Sequence, residues 1–114
     1  MATLTVAQAA EIFDGLGIPC TQLAWKGRKA PPPPYVVLAP HDSRHDYKDG
    51  RVYGKARRYD FELYARERDV RLEQRIERAL DEAGASYTSD VVIDEENKYV
   101  VTYFSTTLTE QEAT

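Results

Sequence analysis

Between Arg58 and Arg66 the chain alternates. Tyr59, Phe61, Leu63 and Ala65 are apolar while Asp60, Glu62, Tyr64 and Arg66 are not, and a period of two belongs to a strand with one buried face apart from the outward tyrosine. Asp69 then stands where a helix N-cap is needed. Leu72, Ile76, Ala79, Leu80 and Ala83 recur at three and four, forming one helical stripe, and Gly84 supplies the stop. A strand that buries one face, joined by a short turn to a helix that buries one stripe, predicts a helix lying back across a sheet.

The same patterns organise the rest. Thr5 and Gln8 form a capping-box pair, and Val6, Ala9, Ala10, Phe13 and Leu16 follow at helical spacing up to Gly17. A short β-prone run, Cys20 to Trp25, comes next. The prolines Pro31 to Pro34 remove ladder donors, so that stretch is read as a stiff extended loop leading into Tyr35 to Ala39. YVVLA is almost wholly apolar and predicts a central strand covered on both faces, ended by Pro40. Asp49-Gly50 marks a hairpin turn inside a polar, charge-rich connection. Tyr87 to Ile93 and Lys98 to Leu108 flank the polar turn Asp94, Glu95, Glu96, Asn97 and read as a closing hairpin, with a polar tail after it. The expected class is α+β: a single domain over residues 1–114, with a mainly antiparallel sheet of about four to six strands and two helices packed on it.

At 114 residues such a domain buries roughly two thirds of its unfolded surface and folds without a staple. Cys20, the single cysteine, excludes an internal disulfide and behaves as a buried apolar residue suited to a reducing compartment. The N-terminal stretch has no basic region ahead of an apolar run, and no segment approaches the ~20 apolar residues of a membrane span, so no membrane partner is expected. A net charge of −4 speaks against non-specific nucleic-acid binding as the main task. The charge is unevenly spread: residues 1–58 hold 9 Lys and Arg against 5 Asp and Glu, residues 59–114 hold 6 against 14. Opposite-signed faces would favour head-to-tail docking of copies.

Candidate chemistry is sparse. His41 and His45, with Asp42 and Asp46 beside them, have the spacing of a metal pair on a helix, but Pro40 and the Asp49-Gly50 turn place them in a loop. No catalytic, cofactor or metal residue is assigned, and no enzyme activity is expected. Lys48, Arg51, Lys55, Arg57 and Arg58 interleave with Tyr47, Tyr53 and Tyr59, a pattern of strands that grip phosphates and stack bases; half-buried strands accumulate tyrosine for packing alone. Asp60 and Glu62 share the outer strand face and are expected to pair with Arg57, Arg58 and Arg66 at the surface. On the second helix Leu72, Ile76, Ala79 and Ala83 take one sector, Glu73, Glu77 and Asp81 a second, and Arg71, Arg75 and Arg78 a third. Segregated charge sets like against like at i,i+4, at a cost of a few tenths of a kcal/mol per pair, and makes more sense if each flank meets an opposite charge elsewhere.

The order of segments resembles a known family. A short N-terminal helix, GIPC, PPPPYVVL, a polar stretch ending DGRVY, the strand YDFELYARERD, a helix with LEQRIERAL and a hairpin ending KYVVTYFSTTL are together similar to the tail-terminator or tail-completion (head-tail joining) proteins of long-tailed bacteriophages and prophages. The resemblance spans Ile18 to Leu108 and rests on order and spacing. It implies a structural subunit, with no cofactor, that forms a ring, commonly a hexamer, at the head-proximal end of the tail tube. Such a ring stops tube polymerisation and meets the head-tail connector, while DNA passes through its lumen without specific binding. The implied location is the virion, after assembly in the bacterial host cytoplasm. On this reading the basic loops Lys26 to Lys29 and Arg44 to Arg58 face neighbours or the tube, and the contacts with neighbouring subunits and the tube come from Arg44, Lys48, Arg51, Lys55, Arg57, Arg58, Arg71, Arg75, Glu73 and Glu77. Asp94, Glu95 and Glu96 face the lumen, where like charge keeps a duplex from sticking. A head-closure or connector protein of the same assembly is the nearest alternative, and a small nucleic-acid-binding module a further one.

Overall fold

A computed structural model describes residues 4–22, 30–40, 47–48, 51–52 and 56–109. In chain order the elements are α1 (Val6–Gly15), β1 (Cys20–Gln22), β2 (Tyr35–Pro40), β3 (Tyr47–Lys48), β4 (Arg51–Val52), β5 (Ala56–Ala65), α2 (Val70–Glu82), β6 (Tyr87–Asp94) and β7 (Tyr99–Thr109). The architecture is α+β.

Both helices begin and end by the devices their sequences announce. The Thr5 hydroxyl accepts from the Gln8 amide at 3.0 Å and the Gln8 side chain accepts from the Thr5 amide at 2.9 Å, two otherwise orphaned donors satisfied reciprocally. At the start of α2, the Asp69 carboxylate accepts from the Leu72 amide at 3.0 Å. Each helix stops at a glycine in the left-handed region, Gly17 at φ 75° and Gly84 at φ 77°. In both cases the next amide donates back five residues, Ile18 to Phe13 and Ala85 to Leu80, each at 3.0 Å. This closes the last turn over carbonyls that would otherwise lack a donor.

Five strands form one sheet in the order β1-β2-β5-β7-β6, and β3 and β4 pair separately across residues 49–50. The long antiparallel pairing of β5 with β7 runs from Ala56 opposite Thr109 to Ala65 opposite Val100. The sheet is mainly antiparallel as expected, with one parallel pairing: β1 lies parallel to β2, with Cys20 opposite Val36 and Gln22 opposite Leu38. The reason is the length of chain between them, since a parallel return needs a dozen or more residues and residues 23–34 supply it. The described part of the first strand ends at Gln22; Leu23 to Trp25 lie outside the described residues.

Both helices pack on the same face of the sheet. Phe13 of α1 meets Phe61 of β5 edge to face, with ring centroids 5.2 Å apart and planes at 82°. Leu72, Ile76 and Leu80 of α2 join Val36, Leu38, Tyr59, Leu63, Phe104 and Leu108 in the same buried cluster. Strand parity explains the selection, because Leu38 and Phe104 flank Phe61 in the register and so share its face. The four residues Tyr35 to Leu38 are all buried, so β2 is covered on both faces as its apolar run predicts. Among the described residues no helix is long and apolar enough to cross a membrane.

Candidate assembly surfaces

The register carries the expected contact residues and the expected lumen residues toward opposite ends of the sheet, with Arg66 and Lys98 beside the acidic turn. Arg57 and Arg58 sit near the first residues of β5, beside the last residues of β7, and the β3–β4 ribbon, with Lys48 opposite Arg51, springs from the same end because β2 finishes there opposite Tyr59. The turn between β6 and β7, with Asp94, Glu95 and Glu96, lies beyond the other end of β5. In that turn Asp94 accepts from the Asn97 amide at 3.1 Å and from its side-chain nitrogen at 2.9 Å. These hydrogen bonds hold its carboxyl below the usual carboxylate range. Glu95 and Glu96 are exposed, and Lys98 closes the turn at φ 59°.

The other expected contact residues are distributed as follows. Arg44 and Lys55 lie outside the described residues, as do the His41 and His45 pair, Tyr53 and the basic run Lys26 to Lys29. Arg57 is half-buried; Arg58 is exposed and walls an open groove of about 330 Å³ with Leu4, Ser86, Tyr87 and Thr107. Arg71 and Arg75 are exposed on α2, and a guanidinium nitrogen of Arg75 donates to the Leu16 carbonyl at 3.3 Å, tying the two helices. Glu77 is half-buried.

One expectation is corrected. Glu73, expected on an acidic flank open to a neighbour, is 7% exposed and faces the sheet. Its carboxylate accepts from the Thr102 hydroxyl at 3.1 Å and from Arg68 at 3.3 Å through both of its oxygens. The helical stripe is wide enough to include it, because Glu73 sits one residue after Leu72 and three before Ile76 on the face turned inward. Tyr59 is 5% exposed in the core, on the buried face that the alternation predicts, and its parity with Phe61 takes it away from the base-stacking pattern it also fits.

The sheet face away from the helices carries what sequence reading did not assemble. Tyr35 lies opposite Tyr64 in the β2–β5 register. Their rings stack at 5.1 Å, and Tyr99 stands edge-on to both at 6.4 and 5.6 Å, with the Arg66 guanidinium 5.2 Å from the Tyr99 ring. Asp60 and Glu62 share this face as predicted. Asp60 accepts from the Ser105 hydroxyl and Glu62 from the Tyr64 hydroxyl, the latter at 2.9 Å. The alternation around Tyr64 was the available signal, but the partner strand that brings Tyr35 alongside cannot be read from spacing.

This face has a pH signature. Burial raises the Tyr64 hydroxyl well above its usual value of 10.0, and the hydrogen bond and charge of Glu62 add to the effect. Burial also raises Tyr35 and Tyr103. A folded state that keeps protons the unfolded chain has released loses stability as pH rises. Stability from these groups is therefore full below pH ~10, the unfolded value, and is lost as pH climbs through the raised folded values. Tyrosinate absorbance should appear late and together with loss of the far-ultraviolet circular dichroism signal, and Tyr64→Phe should flatten the alkaline limb. Ionisation of these tyrosines near the ordinary value with the fold intact would contradict the packing. Glu62 works in the acid range with the same sign: burial raises it, so its contribution is full at low pH and is lost as pH rises through its folded value.

Compared with protein-family models, with curated proteins and with solved structures, the chain matches none.

Proposed function

We propose that the chain is a structural subunit that assembles as a ring at the head-proximal end of a phage tail tube, halts tube polymerisation and offers the joining surface to the head connector. The observation that carries this reading is the placement of Arg57, Arg58 and the β3–β4 ribbon at one end of the sheet and of the Asp94 to Glu96 turn at the other. In a closed ring of head-to-tail contacts, one end of each subunit can line the channel while the other engages neighbours or tube. The acidic turn suits the channel, since exposed carboxylates repel a sliding duplex. The basic end and the exposed Arg71 flank suit acidic partners. The resemblance to tail-terminator proteins supplies the hexamer and the virion as expectations within the proposal.

The test is native mass and negative-stain imaging of the protein alone and with the tail-tube protein of the same phage. Closed rings at a multiple of the monomer mass are expected once tube protein is present, together with arrested tube growth. Arg58→Glu and Arg71→Glu, both at exposed positions, should lower the ring population at least tenfold while leaving the melting temperature within a few degrees. A monomer that neither closes nor shortens tubes in the presence of tube protein would overturn the proposal.

A further inference from the structure

We propose that the outer edge of β6 pairs with the same edge of a second copy about a twofold axis at Val91, joining two five-stranded sheets into one. β6 is the last strand in the sheet order. It is eight residues long, YTSDVVID, with neither proline nor lysine, so it lacks two of the common devices that blunt an edge. Val92 is 44% and Ile93 69% exposed, and Thr88, Ser89 and Asp90 are exposed too. A long exposed edge with apolar side chains on both its faces is a template for strand addition.

The register follows from one hydrogen bond. The Val91 amide donates to the Asp90 carboxylate at 2.9 Å, so it points away from β7. Because main-chain groups alternate in an antiparallel ladder, Tyr87, Ser89, Val91 and Ile93 present the outward amides and carbonyls. A twofold pairing must set outward residues against outward residues, which centres the axis on a residue. Centred on Asp90, it puts that carboxylate opposite its own copy; centred on Val92, it puts Asp90 opposite Asp94; like charges directly opposed are destabilising. Centred on Val91, it sets Asp90 against Val92, Ser89 against Ile93 and Thr88 against Asp94, with no like charges opposed and both exposed apolar side chains covered. Asp90 then has a second part. Its carboxylate caps the amide that the partner's carbonyl needs, so it competes with the pairing and keeps it reversible.

This contact uses the side edge of the sheet and stands apart from the ring proposal, which rests on the ends of the sheet. Two strand edges bury little surface, in the class of weak, transient interfaces. Sedimentation equilibrium on the full chain across a concentration series should show mass rising from that of the monomer toward twice that value. Ile93→Lys, at an exposed position, should shift the transition to at least tenfold higher concentration, and Asp90→Ala should shift it severalfold lower. In a Cys20→Ser background, Val91→Cys should oxidise to a disulfide-linked dimer, since directly opposite Cα atoms of a hydrogen-bonded pair lie about 5.5 Å apart, within disulfide reach. Native Cys20 is replaced because it is the only other thiol, although burial pushes it up to about 11. Mass that stays monomeric to the solubility limit, or a dimer indifferent to both Ile93→Lys and Asp90→Ala, would overturn the pairing.

Discussion

Phe61→Ala should destabilise the protein by about 3–5 kcal/mol, the range for truncating a fully buried aromatic side chain. Phe61 is 0% exposed and lies on β5, the middle strand of five. Leu38 and Phe104 flank it across the two ladders, and Phe13 of α1 packs its ring edge against it. The alanine variant loses the transfer free energy of the ring and the edge-to-face contact, and it leaves a cavity walled by strands on both sides and a helix above. A β5 strand paired with β7 over ten residues has little freedom to collapse into that space, so the upper part of the range is expected. Against a total stability of about 5–15 kcal/mol, the loss is large. Chemical denaturation should show a lower midpoint with an unchanged slope, and melting should fall by roughly 15 °C. Ile93→Ala, at a 69% exposed site, should stay within about 0.5 kcal/mol of the parent. A Phe61→Ala loss under about 1 kcal/mol would mean that the core is not centred on β5.

The period change between Tyr59 and Leu80 locates this centre in the sequence itself. Alternation names the inward residues of β5, the three-and-four spacing names those of α2, and Asp69 and Gly84 bound the helix. Local chemistry of this kind is legible because each signal depends on residues only a few positions apart. The parallel seating of β1 beside β2 is not, because it is settled by whether twelve residues of connection return to the same end of the sheet. The tyrosine group on the open face failed to appear for the same reason: Tyr35, Tyr64 and Tyr99 come from three strands, and only the register brings their rings within 7 Å. Charge is legible as a total but not as a direction. Glu73 and Glu77 share one charged sector of the helical wheel and Arg71 lies in the other, yet Arg71 turns outward, Glu77 is half-covered and Glu73 is sealed against the sheet. The candidate surfaces shared this limit, since Arg57 and Arg58 and the turn at Asp94 came to lie at opposite ends of the sheet only once β5 and β7 were paired.

Arg68→Ala should cost about 1–3 kcal/mol although Arg68 is largely in solvent, and Glu73→Met combined with Thr102→Val should cost less. The asymmetry comes from where each partner sits. The Arg68 side chain is 55% exposed and that of Glu73 only 9%, so removing the arginine leaves a carboxylate enclosed by α2 and β7 with the Thr102 hydroxyl as its remaining side-chain donor. An enclosed charged group stripped of its partner bears its full desolvation cost. Removing the carboxylate instead returns Arg68 to water at little cost. With Thr102, itself 3% exposed, also replaced by an isostere, no buried polar atom is orphaned. Replacing such a buried polar pair by apolar groups of similar shape is often neutral or stabilising. Combining Arg68→Ala with Glu73→Met should then recover most of what Arg68→Ala loses, which a double-mutant cycle of denaturation midpoints measures directly. If the two losses simply add, Glu73 is not held by Arg68, and the inward turn of this carboxylate needs another cause.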